Sequence, residues 1–139
     1  MGAWGVGSFE NDDALDWLAA FREHPDEASV RETLTLIGEA EEDSFLDAAD
    51  CADAIAAAET VAAARGRPLE VSLPDDGVAF LTGLRFAGVR ELTQLALRAL
   101  DRIRTDQNCE LHDLWREAEE EEARSEWLAA VEELRERLR

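Results

Sequence analysis

Few side chains in this sequence combine the type and spacing that chemistry requires. Cys109 and His112 stand three residues apart, so on a helix they share a face, and a histidine beside a thiol can activate it as a nucleophile. A third group to orient the histidine is missing from the local sequence, and three-residue spacing arises easily by chance. Cys51 and Cys109 lack metal-ligand spacing and are expected as reduced thiols. Gly5-Val6-Gly7 precedes a helix start, where backbone amides can cradle a phosphate. Glu10 occupies the place of the third glycine of a dinucleotide fingerprint, and the carboxylates that follow would repel an anion. Pro74-Asp75-Asp76-Gly77 has too few spaced oxygen ligands for a calcium loop. No metalloprotease, serine-hydrolase, Walker or paired Cys-x-x-Cys motif occurs.

One residue remains out of place. Glu59 falls on an otherwise apolar helical stripe with Phe45, Ala48, Ala52, Ile55 and Ala62, so the helix carries a carboxylate inward. A buried carboxylate needs donors. The expected ones are the Trp4 indole, the backbone amides of Gly5 to Ser8, and an arginine of the fifth helix. In that account Glu59 pins the glycine-rich N-terminus to the central helix. The alternative makes Glu59 a metal ligand or general base, joined by Asp12, Asp13 or His112.

Composition limits what these groups can serve. Thirty-three acidic residues against fourteen basic ones give a formal charge of −19 over 139 residues, and every basic residue is arginine. That field opposes nucleic-acid backbones and anionic lipid, so neither is an expected partner. No apolar run approaches the ~20 residues of a membrane span, and no leader pattern opens the chain, so a cytoplasmic location is expected. The segment from Arg85 to Arg104 is the exception in charge: five arginines face only Glu91 and Asp101. They either pair with the acidic helices or form a docking stripe for an acidic partner or a second copy.

The elements that position these groups read as helices. The first runs from about Asp12 to Glu23 behind Asn11 or Asp12 and stops at His24-Pro25. Asp26 caps a second, with Val30, Leu34 and Ile37 inward, ending near Gly38. Ser44 opens the longest, about Phe45 to Arg65, closed by Gly66 and Pro68. A loop over residues 67–74 leads to a short helix with Pro74 in its first turn and Val78, Leu81 and Leu84 inward, ended by Gly83 or Gly88. The fifth helix spans about Val89 to Thr105, and Asn108 caps a sixth with Leu111, Leu114, Trp115 and Ala118 on one face. The last carries Trp127, Leu128, Val131, Leu134 and Leu138. Its face is half a turn out of phase with the sixth, which predicts a break over 119–125 with Ser125 as the next cap.

The opening stretch from Gly2 to Leu18 (Gly-Ala-Trp-Gly-Val-Gly-Ser-Phe-Glu-Asn-Asp-Asp-Ala-Leu-Asp-Trp-Leu) resembles that of the bacterial domain-of-unknown-function family 4259. Ala56 to Ala64, Gly66-Arg67-Pro68, Glu110 to Glu117 and Trp127 to Leu134 are similar to it as well. The four glutamates at 119–122 depart from the pattern, where a shorter turn is expected. The resemblance implies a single, mostly helical domain and carries no activity, substrate or catalytic residue.

Together these readings predict an all-α, compact, single-domain bundle of six or seven short amphipathic helices around an Ala-rich central helix. The domain covers residues 1–139, with residues 1–10 packed on the core through Trp4 and Phe9. The expected function is that of a non-catalytic module acting through protein–protein contact or self-association, with no cofactor. Trp4, Phe9, Arg85, Arg90, Arg98 and Arg102 are the candidate interaction residues. The alternative is a metal-dependent hydrolase or transferase with carboxylates gathered around Glu59.

Overall fold

The computed structural model describes residues 5–69, 73, 76–105, 108–117 and 121–139. Seven helices occur among the described residues: α1 (Asp12–Glu23), α2 (Glu27–Gly38), α3 (Ala48–Ala64), α4 (Gly77–Thr82), α5 (Val89–Thr105), α6 (Glu110–Glu117) and α7 (Glu121–Leu138). The expected all-α bundle is observed. None of these helices is long and apolar enough to cross a membrane.

Helix α3 is the axis of the bundle, touching the other six helices. From Ala54 to Ala63 every side chain is buried, so no face of this stretch reaches solvent. A helix buried all round must be apolar all round, and alanine lets its neighbours approach closely. The flanking helices bury single stripes: Leu92, Leu95, Ala96, Ala99, Leu100 and Ile103 on α5, and Trp127, Val131, Leu134 and Leu138 on α7. Helix α1 starts where Asn11 accepts a hydrogen bond from the Ala14 amide at 2.8 Å, and α2 where Asp26 accepts from Ala28 at 2.9 Å. On α1, Trp17 stacks on Phe21 and donates its indole N–H to Thr33 of α2 at 3.0 Å.

Four boundaries differ from expectation, each for a physical reason. Helix α3 begins at Ala48, not Phe45, because the chain just before it is extended. Leu46 receives the Glu110 amide on its carbonyl and donates its own amide to the Asn108 carbonyl, both at 2.9 Å. Asp47 then caps the helix by accepting from the Ala49 amide. Phe45 is consequently 63% exposed and leaves the predicted stripe. The same bridge commits the Asn108 backbone to Leu46, and α6 starts at Glu110. Helix α4 starts at Gly77 behind a left-handed Asp76 (φ 61°) whose side chain makes no cap bond, and Val78 is exposed instead of inward. Pro74 and Asp75 lie outside the described residues. Helix α7 begins at Glu121 and contains Ser125 in its interior; Glu121 and Glu122 suit the positive end of its dipole, so no serine cap is required. Residues 118–120, and with them the expected inward Ala118, also lie outside the described part.

Candidate functional site

Glu59 sits in the middle of α3 and is 1% exposed, the one buried acidic residue among the described residues. The described residues supply it with three donors. The Ser8 hydroxyl donates to Oε2 at 2.6 Å. The Arg137 guanidinium, from the last turn of α7, donates Nη1 to Oε1 and Nη2 to Oε2, each at 2.9 Å. This is the planar two-pronged fit that arginine makes with carboxylates, with both ions withdrawn from water.

Glu59 therefore points inward as the stripe requires and holds the N-terminal loop, but two of its expected partners are different. The arginine comes from α7, not the fifth helix, and the loop contributes a hydroxyl, not its free amides. One of those amides is engaged nearby: Gly7 N–H donates to Glu10 Oε1 at 3.0 Å, and Glu10 N–H returns to the Gly7 carbonyl at 3.1 Å. The Glu10 carboxylate lies so close over Gly5 and Gly7 that a Cβ on either would stand 2.5 Å from one of its oxygens. A carboxylate of the chain itself thus occupies the place an anion would take. Trp4, the third expected donor, lies outside the described residues.

Arg137 has further ties. Its Nε donates to Glu133 at 2.6 Å and its Nη1 to the Arg67 carbonyl at 3.2 Å, while Arg67 reaches back to the Glu136 carbonyl at 3.4 Å. Burial opposes its charge, but the hydrogen bonds and charges of Glu59 and Glu133 outweigh burial and raise its pKa.

The residues expected to join Glu59 in a catalytic site are placed elsewhere. Asp12 and Asp13 occupy the exposed first turn of α1. His112 is buried on α6 against Trp127, edge to face at 5.6 Å, and its Nδ1 has no hydrogen-bond partner among the described residues. Burial, and then the charges of Arg124 and Arg116, lower its pKa. Cys109 lies 3.8 Å, sulfur to sulfur, from Cys51. Both thiols are buried, and Cys51 is pushed up by that contact, by burial and by Asp50 and Asp47, the opposite of nucleophile activation. No group of three or more His, Cys, Asp or Glu side chains among the described residues could hold a metal ion.

The candidate interaction residues divide similarly. Phe9 is buried in the core at 4% exposure. Arg102 donates to the carbonyls of Ile37, Ala40 and Glu41, closing the C-terminal end of α2. Arg98 meets Glu39 at 3.4 Å, Arg85 donates to the carbonyls of Thr82 and Leu84, and Arg90 is exposed. Within the same segment, Arg104 bridges Asp101 and Glu132. Four of the five arginines between 85 and 104 thus tie helices and turns together.

A cleft of about 120 Å³ opens beside the N-terminal loop, between that loop and α3, α6 and α7. Ile55, Trp115, Trp127 and Val131 form its apolar wall, with Ser8 and Asp13 at the polar side. Asp13 also contributes to a group of aspartates that includes Asp16, Asp47, Asp50 and Asp53. Burial first, and then these neighbouring charges, push Asp53 up to about 7. Sequence reasoning missed Ser8, Arg137 and this cleft; the Glu133–Arg137 spacing of four was the single local hint that Arg137 is held.

No curated protein and no solved structure is detectably similar to the chain. A family model described as Domain of unknown function (DUF4259) matches residues 2–130, and the chain belongs to that family.

Proposed function

We propose that this chain is a non-catalytic cytoplasmic module that acts by binding another protein, and that the cleft beside the N-terminal loop is where it does so. The observation supporting this reading is the contrast between the two distinctive features of the molecule. The buried carboxylate has three donors among the described residues and holds the fold together, whereas the cleft presents an apolar wall of Ile55, Trp115, Trp127 and Val131. Fixed polar groups combined with an apolar recess suit recognition better than proton transfer.

The test is site-specific photo-crosslinking in cells, with the reactive residue placed at Ala130 on the cleft wall or at the exposed Leu36 of α2. A defined protein adduct from position 130 and not from 36, rebuilt from purified components, is the expected result. The reading fails if the purified protein turns over ester, phosphate or peptide substrates with added Mg²⁺, Mn²⁺ or Zn²⁺ and Glu59→Gln abolishes the turnover while the protein stays folded.

A further inference from the structure

The size of the cleft narrows what it can accept. Pockets for cofactors and drug-sized ligands are roughly 300–1,000 Å³, well above the 120 Å³ here. A cavity of about 150 Å³ holds a benzene ring, so one of about 120 Å³ suits a single apolar side chain of the Leu class. Binding energy in protein–protein interfaces concentrates at the few side chains that enter such well-packed, desolvated recesses.

Charge narrows it further. Asp13 is the one charged residue lining the cleft among the described residues. Asp47, the cap of α3, precedes the lining residue Ala48, Asp50 lies two residues after it, and Asp53 follows the lining residue Ala52. Helix α1, which carries Asp13 and Asp16, packs directly on α3, and the charges of Asp13, Asp50, Asp16 and Asp47 all act on Asp53, so these carboxylates share one edge. Such an edge repels anions and acidic segments and attracts Arg or Lys.

Resting on the binding-module reading, we infer that the cleft receives one apolar side chain from a partner protein segment whose neighbouring residues are basic. The apolar anchor fills the space against Ile55, Trp115 and Trp127, and the basic flanks meet Asp13 and the aspartates at the start of α3. Charge at the edge selects the partner, and the recess fixes its register.

Fluorescence anisotropy with labelled peptides tests this on the full chain. The probes are a peptide with one Leu flanked by Arg, the same peptide with Gly for Leu, and one with the Leu flanked by Glu. The Arg-flanked Leu peptide is expected to bind, the Gly analogue about tenfold more weakly, and the Glu-flanked one not measurably. Ala130→Leu places bulk at the cleft wall on a half-exposed helix position and should weaken the first peptide about tenfold without lowering Tm. Asp13→Asn should weaken it about threefold and flatten its salt dependence. Equal affinity for the Leu and Gly peptides would reduce the effect to general charge attraction and overturn the inference. So would binding that requires prior deletion of residues 1–4, which would make the chain's own N-terminus the occupant. If no peptide binds but crosslinking from position 130 still yields a defined adduct, the basic-partner inference falls while the binding-module reading stands.

Discussion

Breaking the contact between Glu59 and Arg137 tests the reading of Glu59 most directly. The pair is nearly dry, with the Glu59 side chain 1% and the Arg137 side chain 15% exposed, so either truncation leaves a charge without its partner away from water. Removing one member of a buried ion pair typically costs ~3–5 kcal/mol, against a total stability of ~5–15 kcal/mol for a domain of this kind. The two halves are unequal. Glu59→Ala orphans the Ser8 hydroxyl, but Arg137 keeps Glu133 and the Arg67 carbonyl, so ~3 kcal/mol is expected. Arg137→Ala leaves the deeper carboxylate with Ser8 as its one remaining hydrogen-bond donor among the described residues, and should cost ~4–5 kcal/mol. Glu59→Gln keeps the shape but sets an amide NH₂ against the guanidinium, for ~2 kcal/mol. Replacing both residues by Ala removes both charges together and should cost less than the sum of the two single Ala changes, with a coupling of ~2–3 kcal/mol. Urea unfolding followed by tryptophan fluorescence measures all four variants. A loss below ~1 kcal/mol for Glu59→Ala, or strict additivity in the double variant, would refute the clamp.

Three further outcomes follow from other parts of the bundle. Asp53, pushed up to about 7 from an ordinary 3.8, holds its proton in the folded state at pH values where the unfolded chain has lost it. Stability therefore falls as pH rises from about 4 through about 7. Asp53→Asn should gain ~1–2 kcal/mol at pH 8, after allowance for solvent screening of a half-buried group, and almost nothing at pH 4; urea titrations at the two pH values decide it. Because Cys51 and Cys109 are buried, and the Cys51 thiol is shifted against ionisation, iodoacetamide should label the native protein only as fast as it unfolds. Rapid labelling at neutral pH without urea would contradict that placement. Phe9→Ala should cost ~3–4 kcal/mol in thermal or urea unfolding, since Phe9 belongs to the core and no other described aromatic lies in the N-terminal loop.

How much of this was legible in the sequence depended on how local its cause was. Helices α1 and α5 start and stop where local periodicity and capping place them, because their ends are set within a few residues. The start of α3 was not legible, since Phe45 and Leu46 are drawn into extended backbone by Asn108 and Glu110 more than sixty residues away. Glu59 could be read as inward because an Ala-rich helix must lie among others. Its arginine could not be read. Arg135, Arg137 and Arg139 all suit the C-terminal end of a helix dipole, and nothing in the pattern distinguishes the one that turns inward. In the structure Arg135 meets Asp101, Arg139 meets Glu136, and Arg137 alone of the three reaches Glu59. The aspartates of α1 and α3 looked like ordinary caps and solvated residues, and only the packing of the two helices reveals them as one acidic edge.

The clamp and the cleft are physically linked. Ser8 lines the cleft and also donates to Glu59, so the bond that fixes the N-terminal loop also fixes one wall of the recess. Val131 forms another wall on α7, and Arg137 lies six residues further along the same helix, about 9 Å at helical rise. One carboxylate on the central helix thereby sets the separation between loop and α7 from both sides. An apolar pair of the same volume could fill the space without that directional constraint, and buried ion pairs often add little net stability. What Glu59 supplies that methionine could not is position: two nitrogens and one hydroxyl held at 2.6–2.9 Å on the oxygens of one side chain of the central helix. A recess sized for one side chain is useful only if its walls stay in register. A charged clamp buried beside the cleft meets that requirement.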